Sequence, residues 1–501
     1  MFTKSFASSG RQRAGHAARL ACVAVGLVVG GAARVAWAAD AWPPAVRAAL
    51  TQAGLTDDAL SAVVVPLGAA GERLPPRLSV QAERPMQAAS VMKLFTTYAA
   101  LDRLGPAWTW QTPVELGGPV VRGVLRGPLV IHGQGDPTLV IERWWLLLKR
   151  VRELGVQDIH GDIVLDQGAF RVPTEQAGDF DGEPLKPYNV LPRALVVNFQ
   201  SVTLRVRPEP GARWARVSAQ PSLAGVRWPT RVKLQGAACG DWRAGLQLDL
   251  TQPARPALRG GYAAACGERE WELAWPDDAA YGPRVVEALW RELGGRLHGH
   301  VIERSEQPEI ARGEAAFEFA SPPLHAVVRD INKFSNNLMA RQLFLTLGLS
   351  QGEGSLERAR EVVSTWAKER AGCDASELSL DNGSGLSRNE RVSAGCLARL
   401  LQAAWAGPAM PELLASLPVA GVDGTAQRRT AEAVGPAAGR AHIKTGSLKD
   451  VAAVAGVVQA ASGRRYAVVG LINHPSINSN GGAARAVLDA LLRWSAEDTA
   501  R

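Results

Sequence analysis

Residues 87–97 read QAASVMKLFTT, and in this stretch Ser90 stands three positions ahead of Lys93. Residues at i and i+3 share one face of a helix, so a helix beginning here would bring the serine hydroxyl close to the lysine amine. Apolar residues continue from Met92 to Leu101 at approximately helical spacing, which predicts such a helix. Taken alone, the Ser-x-x-Lys pattern describes an ordinary helix start with a solvated lysine equally well, so its meaning depends on the rest of the chain.

Two later strings give the first one its meaning. Ser335-x-Asn337 lies in a segment with helical periodicity, 325–348, and a KTG string begins at Lys444 on the first of three strand-like segments near the end of the chain. Ser-x-x-Lys, Ser-x-Asn and Lys-Thr-Gly in this order form a three-part signature of active-site serine enzymes. Each string is weak evidence alone, but the ordered set is specific.

With these motifs the chain resembles the penicillin-recognising serine enzymes, and within them the penicillin-binding protein 4 family of S13-type D-alanyl-D-alanine carboxypeptidases. The long gap between Ser90 and Ser335 favours this family over class A β-lactamases, in which the second motif follows the first much sooner. Three further strings are similar to the family pattern and extend the resemblance over nearly all of the mature chain: GQGDPTL (133–139), DNGSGLSRN (381–389) and LPVAGVDGT (417–425). Ala88 departs from it, because the family often has proline there.

The resemblance implies an α+β fold, with an antiparallel sheet flanked by helices as in DD-peptidases and β-lactamases. Two strands are predicted before Ser90, at 60–67 and 77–83, and they could complete the terminal three-strand meander into one sheet. That arrangement predicts a discontinuous catalytic domain, 39–113 and 317–501. Residues 114–316 would then be a large β-rich insertion, interpreted as two small modules with one helix at 141–155.

The residue types in the motifs suit acyl transfer. Ser90 is a weak nucleophile that needs an adjacent base, and Lys93 can be that base once its ammonium group has lost its proton. Burial and the nearby charge of Lys444 would both lower the pKa of Lys93. Ser335 can relay a proton to the leaving amine, and Asn337 can hold the substrate amide through its carbonyl and NH₂ groups.

The KTG strand is the predicted substrate-binding edge, because an extended peptide can pair along it. The resemblance implies that Lys444 and Thr445 bind the terminal carboxylate of the substrate. It also implies that the backbone N–H groups of Ser90 and Ser447 form the oxyanion hole. Gly446 is predicted to let the substrate backbone come close.

Arg388, in the string SGLSR, is the position that the resemblance places against a diaminopimelate carboxylate on the substrate's third residue. The alternative is an arginine that only anchors its loop. Both interpretations stay open at this point.

The predicted function is a serine-type D-Ala-D-Ala carboxypeptidase that acts on peptidoglycan peptides through an acyl-enzyme on Ser90 and is acylated by β-lactams. The closest alternative is a DD-endopeptidase that cleaves peptidoglycan cross-links with the same residues. A β-lactamase is disfavoured because no dedicated deacylating glutamate is evident. A non-catalytic wall-binding scaffold is disfavoured because every motif residue is present.

The N-terminus predicts export to the periplasm. A basic stretch precedes the apolar run 20–33, and a small-x-small cleavage motif ends at Ala38, so residues 1–38 are interpreted as a signal peptide. No later segment offers about 18 consecutive uncharged apolar residues, so no membrane span is expected in the mature chain. Removing the five basic residues of the leader lowers the formal net charge from +8 to +3, which argues against nucleic acid as a partner.

Four cysteines remain in the mature chain, and an even number in an exported protein predicts two disulfides. The pairs Cys239–Cys266 and Cys373–Cys396 are favoured because each closes a short loop; four reduced thiols are the alternative. His298 and His300 could form a metal pair, but no third ligand is evident in the sequence, and strand alternation explains their spacing. The sequence therefore predicts no metal and no cofactor.

Overall fold

The computed structural model describes residues 41–499 except 70, 71, 73, 174, 237, 306–314 and 478–481. The predicted signal peptide and its cleavage site lie outside the described residues. Within the described part of the chain, no helix is both long and apolar enough to cross a membrane.

The described residues form the following regular elements, numbered in chain order. The α-helices are α1 Pro44–Gln52, α2 Lys93–Leu104, α3 Ile141–Glu153, α4 Asp278–Glu292, α5 Leu324–Phe334, α6 Asn337–Leu349, α7 Leu356–Ala371, α8 Ala394–Ala406, α9 Met410–Ser416, α10 Ala431–Val434 and α11 Gly482–Ala496. The strands are β1 Leu60–Pro66, β2 Leu78–Val80, β3 Gln111–Leu116, β4 Val120–Val121, β5 Val124–Leu125, β6 Leu129–His132, β7 Asp158–Ile159, β8 Ile163–Asp166, β9 Phe170–Arg171, β10 Ser201–Pro208, β11 Trp214–Gln220, β12 Arg231–Gln235, β13 Leu246–Asp249, β14 Ala257–Ala263, β15 Arg269–Ala274, β16 Arg296–Leu297, β17 Val301–Arg304, β18 Phe317–Ala320, β19 Gly354–Ser355, β20 Leu378–Ser379, β21 Arg391–Val392, β22 Ala441–Leu448, β23 Val451–Gln459 and β24 Arg465–Asn473.

The central sheet joins the two ends of the chain. Its strand order is β2-β1-β24-β23-β22, and every neighbouring pair is antiparallel. β1 pairs with β24 in a register that runs from Leu60 opposite Ile472 to Pro66 opposite Tyr466. The strands that precede the Ser-x-x-Lys motif therefore extend the terminal meander, and β22, which carries KTG, is left at the open edge of the sheet.

Both faces of this sheet are covered, which explains the continuous apolar runs of β23 and β24. Val63 and Val65 face a core built with α2 and α5–α8, whereas their neighbours Ala62 and Val64 face a second core built with α1 and α11. Alternate side chains of one strand thus supply two separate cores. The fold is α+β, an antiparallel sheet flanked by helices with large β-rich additions, and the predicted fold class is confirmed.

Residues 111–320 contain three larger sheets. They have the orders β13-β14-β12-β11-β10-β15, β16-β7-β5-β4 and β17-β8-β6-β3-β18. The last sheet pairs β3 with β18, placing Gln111 opposite Ala320, so boundaries at 113/114 and 316/317 would cut through one sheet. We propose that the insertion begins near residue 110 and ends near 321.

The region also contains α4, which the sequence analysis did not predict. Asp277 caps its N-terminus, since its carboxylate accepts a hydrogen bond from the backbone N–H of Ala280. Pro283 lies inside the helix and disturbs the helical pattern that the sequence would otherwise show. The buried residues Tyr281, Val285 and Leu289 tie α4 to the core of the insertion.

The four cysteines of the described chain lie in two pairs at bonding distance. The sulfur atoms of Cys239 and Cys266 are 2.12 Å apart, and those of Cys373 and Cys396 are 2.06 Å apart. These are the two pairs that the short sequence separations favoured.

Candidate active site

Ser90 sits in a tight turn that leads into α2. The 3₁₀ turn Ala89–Met92 precedes the α-helix, which begins at Lys93. The Nζ atom of Lys93 lies 2.9 Å from the Oγ atom of Ser90. The spacing of three positions therefore brings the lysine amine next to the serine hydroxyl, as predicted from the sequence. Ala89 has a φ of 47°, a left-handed conformation that costs free energy for a residue with a Cβ atom and that is common at functional turns.

Lys93 is fully buried among polar partners. Besides Ser90, its Nζ atom donates to the side-chain oxygen of Asn337 at 2.6 Å and to the backbone carbonyl of Ser384. Burial lowers the pKa of Lys93 well below its usual value, and the positive charge of Lys444 lowers it further, while the charge of Glu390 opposes both. A neutral amine beside a serine hydroxyl is the arrangement that a general base requires.

Ser335 does not lie inside a helix, as its periodic surroundings had indicated, and that prediction was wrong. It is the left-handed residue between α5 and α6, with a φ of 57°. Asn336 then caps α6, because its side-chain oxygen accepts a hydrogen bond from the N–H of Met339 at 3.0 Å. The helix is therefore interrupted at Ser335, and this break between α5 and α6 exposes the Ser335 hydroxyl to the same cleft as Ser90.

Lys444 approaches the cleft from the sheet. It is fully buried, and its Nζ atom donates to the Oγ atom of Ser335 at 2.8 Å. Burial lowers the pKa of Lys444 to about 7. Asn337 closes the arrangement from α6, where its Nδ2 atom donates to the carbonyl of Tyr188 at 3.1 Å. Hydrogen bonds thus join the five residues in two sets, Ser90–Lys93–Asn337 and Ser335–Lys444.

A cleft of about 530 Å³ opens beside this network. It is lined by residues from the serine turn, the break between α5 and α6, the segment 424–429, the KTG strand, β23 and α11, namely Ser90, Ser335, Gly424, Thr425, Gln427, Arg428, Arg429, Thr445, Gly446, Ser447, Ala452, Ala453, Arg485 and Leu488. The hydroxyl of Thr445 donates to that of Thr425 at 2.8 Å, which connects the KTG strand to the neighbouring loop. The arginines give the cleft a positive potential suited to a carboxylate.

Gly446 is required for a different close approach from the one that the sequence suggested. A Cβ atom at this position would lie 2.4 Å from the carbonyl oxygen of Ala88 and 3.2 Å from the backbone nitrogen of Ser90. The missing side chain therefore lets β22 pack directly against the serine turn, which sets the position of Ser90 relative to the edge strand.

We expect Gly446→Ala to lower the rate of acylation about 100-fold, because moving a reacting group by about 1 Å has an effect of this size. Penicillin labelling followed over time measures that rate. Gly482→Ala is the matched control, since a Cβ atom there meets nothing within 4 Å. Equal rates for the two variants would contradict a positioning role for Gly446.

Arg388 lies on the surface next to the serine turn and does not line the cleft described above. Its Nη1 atom donates to the carbonyl of Lys449 at 2.9 Å, and its guanidinium lies 5.4 Å from the ring centroid of Phe180. Phe180 belongs to the insertion, so this pair joins the insertion to the edge of the catalytic core. The sequence analysis did not select Phe180.

Glu390 is the other residue that sequence reasoning missed. It is buried, and its Oε1 atom accepts backbone hydrogen bonds from Asp381, Asn382 and Gly383 at 2.9–3.1 Å. These bonds hold the loop whose Ser384 carbonyl accepts from Lys93. Burial raises the pKa of Glu390. The only signal in the sequence is its position directly after the family-like string DNGSGLSRN.

Comparisons with known proteins identify the family of the chain. The model of the D-Ala-D-Ala carboxypeptidase 3 (S13) family matches residues 45–497. D-alanyl-D-alanine carboxypeptidase DacB of Haemophilus influenzae is 26% identical over 399 residues, which cover 77% of this chain and 80% of that protein. D-alanyl-D-alanine carboxypeptidase of an Actinomadura species is 29% identical over 455 residues, or 87% of this chain and 81% of that protein.

Solved structures show the same fold. Penicillin binding protein 4 from Haemophilus influenzae superposes with a TM-score of 0.71 at 23% identity, covering 89% of this chain and 97% of that one. A predatory endopeptidase from Bdellovibrio bacteriovorus has a TM-score of 0.51 at 15% identity, covering 87% and 92%. The family match spans most of the sequence and includes all three motifs, and the resemblance found in the sequence is confirmed. The chain is a serine peptidase that belongs to the D-Ala-D-Ala carboxypeptidase 3 (S13) family.

Proposed function

We propose that the protein is a periplasmic D-Ala-D-Ala carboxypeptidase that removes the terminal D-alanine from peptidoglycan stem peptides through an acyl-enzyme on Ser90. The observation that carries the proposal is the 2.9 Å contact between Ser90 Oγ and the Nζ atom of the fully buried Lys93. The family membership supports the choice of substrate. Export rests on the leader at residues 1–38, which lies outside the described residues.

In the acylation step, neutral Lys93 takes the proton of Ser90 as Oγ attacks the carbonyl carbon of the penultimate D-alanine. The developing oxyanion is stabilised by the backbone N–H groups of Ser90 and Ser447, and losing one such donor typically costs about 3–4 kcal/mol. The approach of β22 to the serine turn at Gly446 supports this pairing of donors.

In the breakdown of the tetrahedral intermediate, the peptide bond breaks and the leaving D-alanine amine needs a proton. Ser335 can deliver it and take a proton from Lys444 in return, because its hydroxyl accepts a hydrogen bond from the Lys444 amine and lines the cleft beside Ser90. Thr445 and Lys444 are proposed to bind the terminal carboxylate of the substrate, with Arg428 and Arg485 contributing positive potential. Water then hydrolyses the acyl-enzyme, and no step requires a metal or a cofactor.

β-Lactams are proposed to acylate Ser90, because they mimic the acyl-D-Ala-D-Ala peptide. A structure of Haemophilus influenzae penicillin binding protein 4 in complex with a β-lactam shares the fold, with a TM-score of 0.68 at 23% identity. Arg388 is proposed to face a side-chain carboxylate on the substrate's third residue. Its exposure and its contact with Phe180 support a role at the rim of the cleft, whereas its bond to the Lys449 carbonyl supports loop anchoring.

The substrate is tested by incubating the protein with a free stem pentapeptide and, separately, with a cross-linked peptide dimer, and by identifying the products by mass. We expect loss of one alanine from the pentapeptide, with a smaller rate on the dimer. Cleavage of the dimer alone would establish the endopeptidase alternative. Steady hydrolysis of a penicillin, in place of stoichiometric trapping, would establish a β-lactamase.

A further inference from the structure

A second group of chemically reactive side chains lies in the insertion, outside the cleft. Ligand atoms of Asp158, His160 and His298 all lie within 4.8 Å of one another. We propose that these three residues form a binding site for a divalent transition-metal ion of the zinc type. The sequence shows only His298 and His300 together, and the ligands that complete the set come from another strand.

The sheet register brings the three residues together. β7 and β16 are parallel neighbours, with Arg296 opposite Asp158 and Leu297 opposite Ile159. His160 directly follows β7 and His298 directly follows β16, so the register places the two histidines at the same level. Side chains alternate along an extended chain, so His160 returns to the side of the sheet on which Asp158 lies. The two imidazole rings have their centroids 4.4 Å apart.

The carboxylate of Asp158 is the strongest sign of a ligand. The residue is only 6% exposed, and its Oδ1 atom makes no hydrogen bond of good geometry with the described residues. This atom lies 3.0 Å from the Nε2 atom of His298, while Oδ2 accepts a hydrogen bond from Arg296 at 3.0 Å. The imidazole of His298 is therefore the group that faces this buried oxygen, and a cation held between the two would satisfy it more fully.

The three side chains are close enough to hold one ion after small rotations. Zinc binds imidazole nitrogen and carboxylate oxygen at about 2.0–2.2 Å, so two ligand atoms of a tetrahedral site stand roughly 3.3–3.6 Å apart. The contact between Asp158 and His298 is 3.0 Å, slightly shorter than this spacing, and the ligand atoms of all three residues lie within 4.8 Å of one another. Two imidazoles and one carboxylate favour zinc, copper or nickel over magnesium and calcium. Arg296 opposes a cation, so we expect an affinity in the micromolar range.

The position of the site indicates a structural role. β5, β7 and β16 are strands of two residues each, and such a short sheet gains few backbone hydrogen bonds. An ion held by β7 residues and His298 would tie two segments of the insertion that are far apart in sequence. None of the three ligands lines the cleft at Ser90, so metal binding and acylation are separable by experiment.

The test is isothermal titration of the tag-free, metal-stripped mature protein with Zn²⁺, combined with thermal unfolding at increasing Zn²⁺. We expect one site and a rising unfolding midpoint. His160→Gln and His298→Gln should each weaken binding at least about tenfold, because even the loss of a group that supports a metal ligand typically costs about 10–100-fold in affinity. His300→Gln is the matched control, because His300 is an exposed histidine two positions further along and does not belong to the cluster; it should bind as the wild type does.

The proposal is overturned if the wild type takes up no Zn²⁺ at about 100 μM, or if His298→Gln binds as well as the wild type. Asp158 would then be only the acceptor of an ion pair with Arg296 and His298. Penicillin labelling of each variant checks that it is folded. Both histidines of the cluster are exposed, so their replacement by glutamine should leave the fold intact.

Discussion

Replacing Ser90 by alanine is expected to abolish covalent labelling by a fluorescent penicillin and to stop release of D-alanine. The hydroxyl of Ser90 lines the cleft and lies 2.9 Å from the amine of Lys93. Without the oxygen there is no atom to carry the acyl group, so the variant should lose the acylation step while it still binds the substrate. Removing the nucleophile of a serine peptidase can cost about 10⁶-fold in rate, and we expect a fall of at least about 10⁴-fold here.

Labelling is measured as fluorescence of the protein band after denaturing electrophoresis. Ser364→Ala is the matched control, because Ser364 lies on α7 and lines a different depression of the surface. It should be labelled like the wild type, and circular dichroism should show both variants folded. Persistent labelling of Ser90→Ala would place the nucleophile elsewhere and would remove the basis of the proposed mechanism.

The sequence predicted the local parts of this site well, because the physical rules that fix them are local. The spacing of Ser90 and Lys93 needs only one helical turn. The apolar runs of β23 and β24 indicate strands buried on both faces, and their short connections indicate a meander. The order of the three motifs then predicted the family and, through it, the α+β fold, although Lys93 and Lys444 are 351 positions apart in the numbering.

What the sequence did not predict depends on contacts between distant segments. Helical periodicity runs through Ser335, and only the capping by Asn336 shows that the helix ends there and restarts. Glu390 has an unremarkable neighbourhood in the sequence, since its role depends on three backbone N–H groups of a folded loop. The pairing of Asp158 with His298 depends on a register between strands of two residues, which no pattern within either strand specifies.

The second large effect is expected at Lys93. Lys93→Met keeps the length of the side chain but removes the base, so acylation by penicillin should fall about 10²–10⁴-fold, the usual contribution of general acid–base catalysis. The unfolding midpoint should change little, because removing a buried amine offsets the loss of its hydrogen bonds to Asn337 and Ser384. Rapid mixing with a chromogenic penicillin measures the acylation rate, and thermal unfolding measures the stability.

The variant Lys93→Arg distinguishes between two roles of Lys93, a base that takes a proton and a fixed positive charge. A guanidinium stays protonated at every accessible pH, so Lys93→Arg should be as slow as Lys93→Met if the lysine acts by taking a proton. If Lys93→Arg instead keeps the wild-type rate, Lys93 stabilises negative charge and another group is the base.

The pH dependence provides an independent check of the same role. Acylation requires neutral Lys93, so the wild-type rate should rise with pH through the pKa of this lysine and reach its plateau well below pH 10.5, because burial and the charge of Lys444 lower that pKa. Lys444 itself titrates near pH 7 as a result of burial, so the two amines lose their protons as a coupled pair. Lys444→Met removes one positive charge, which raises the pKa of Lys93 and should move the rising limb to higher pH. If the acylation rate of this variant rises over the same pH range as that of the wild type, the charge of Lys444 does not lower the pKa of Lys93.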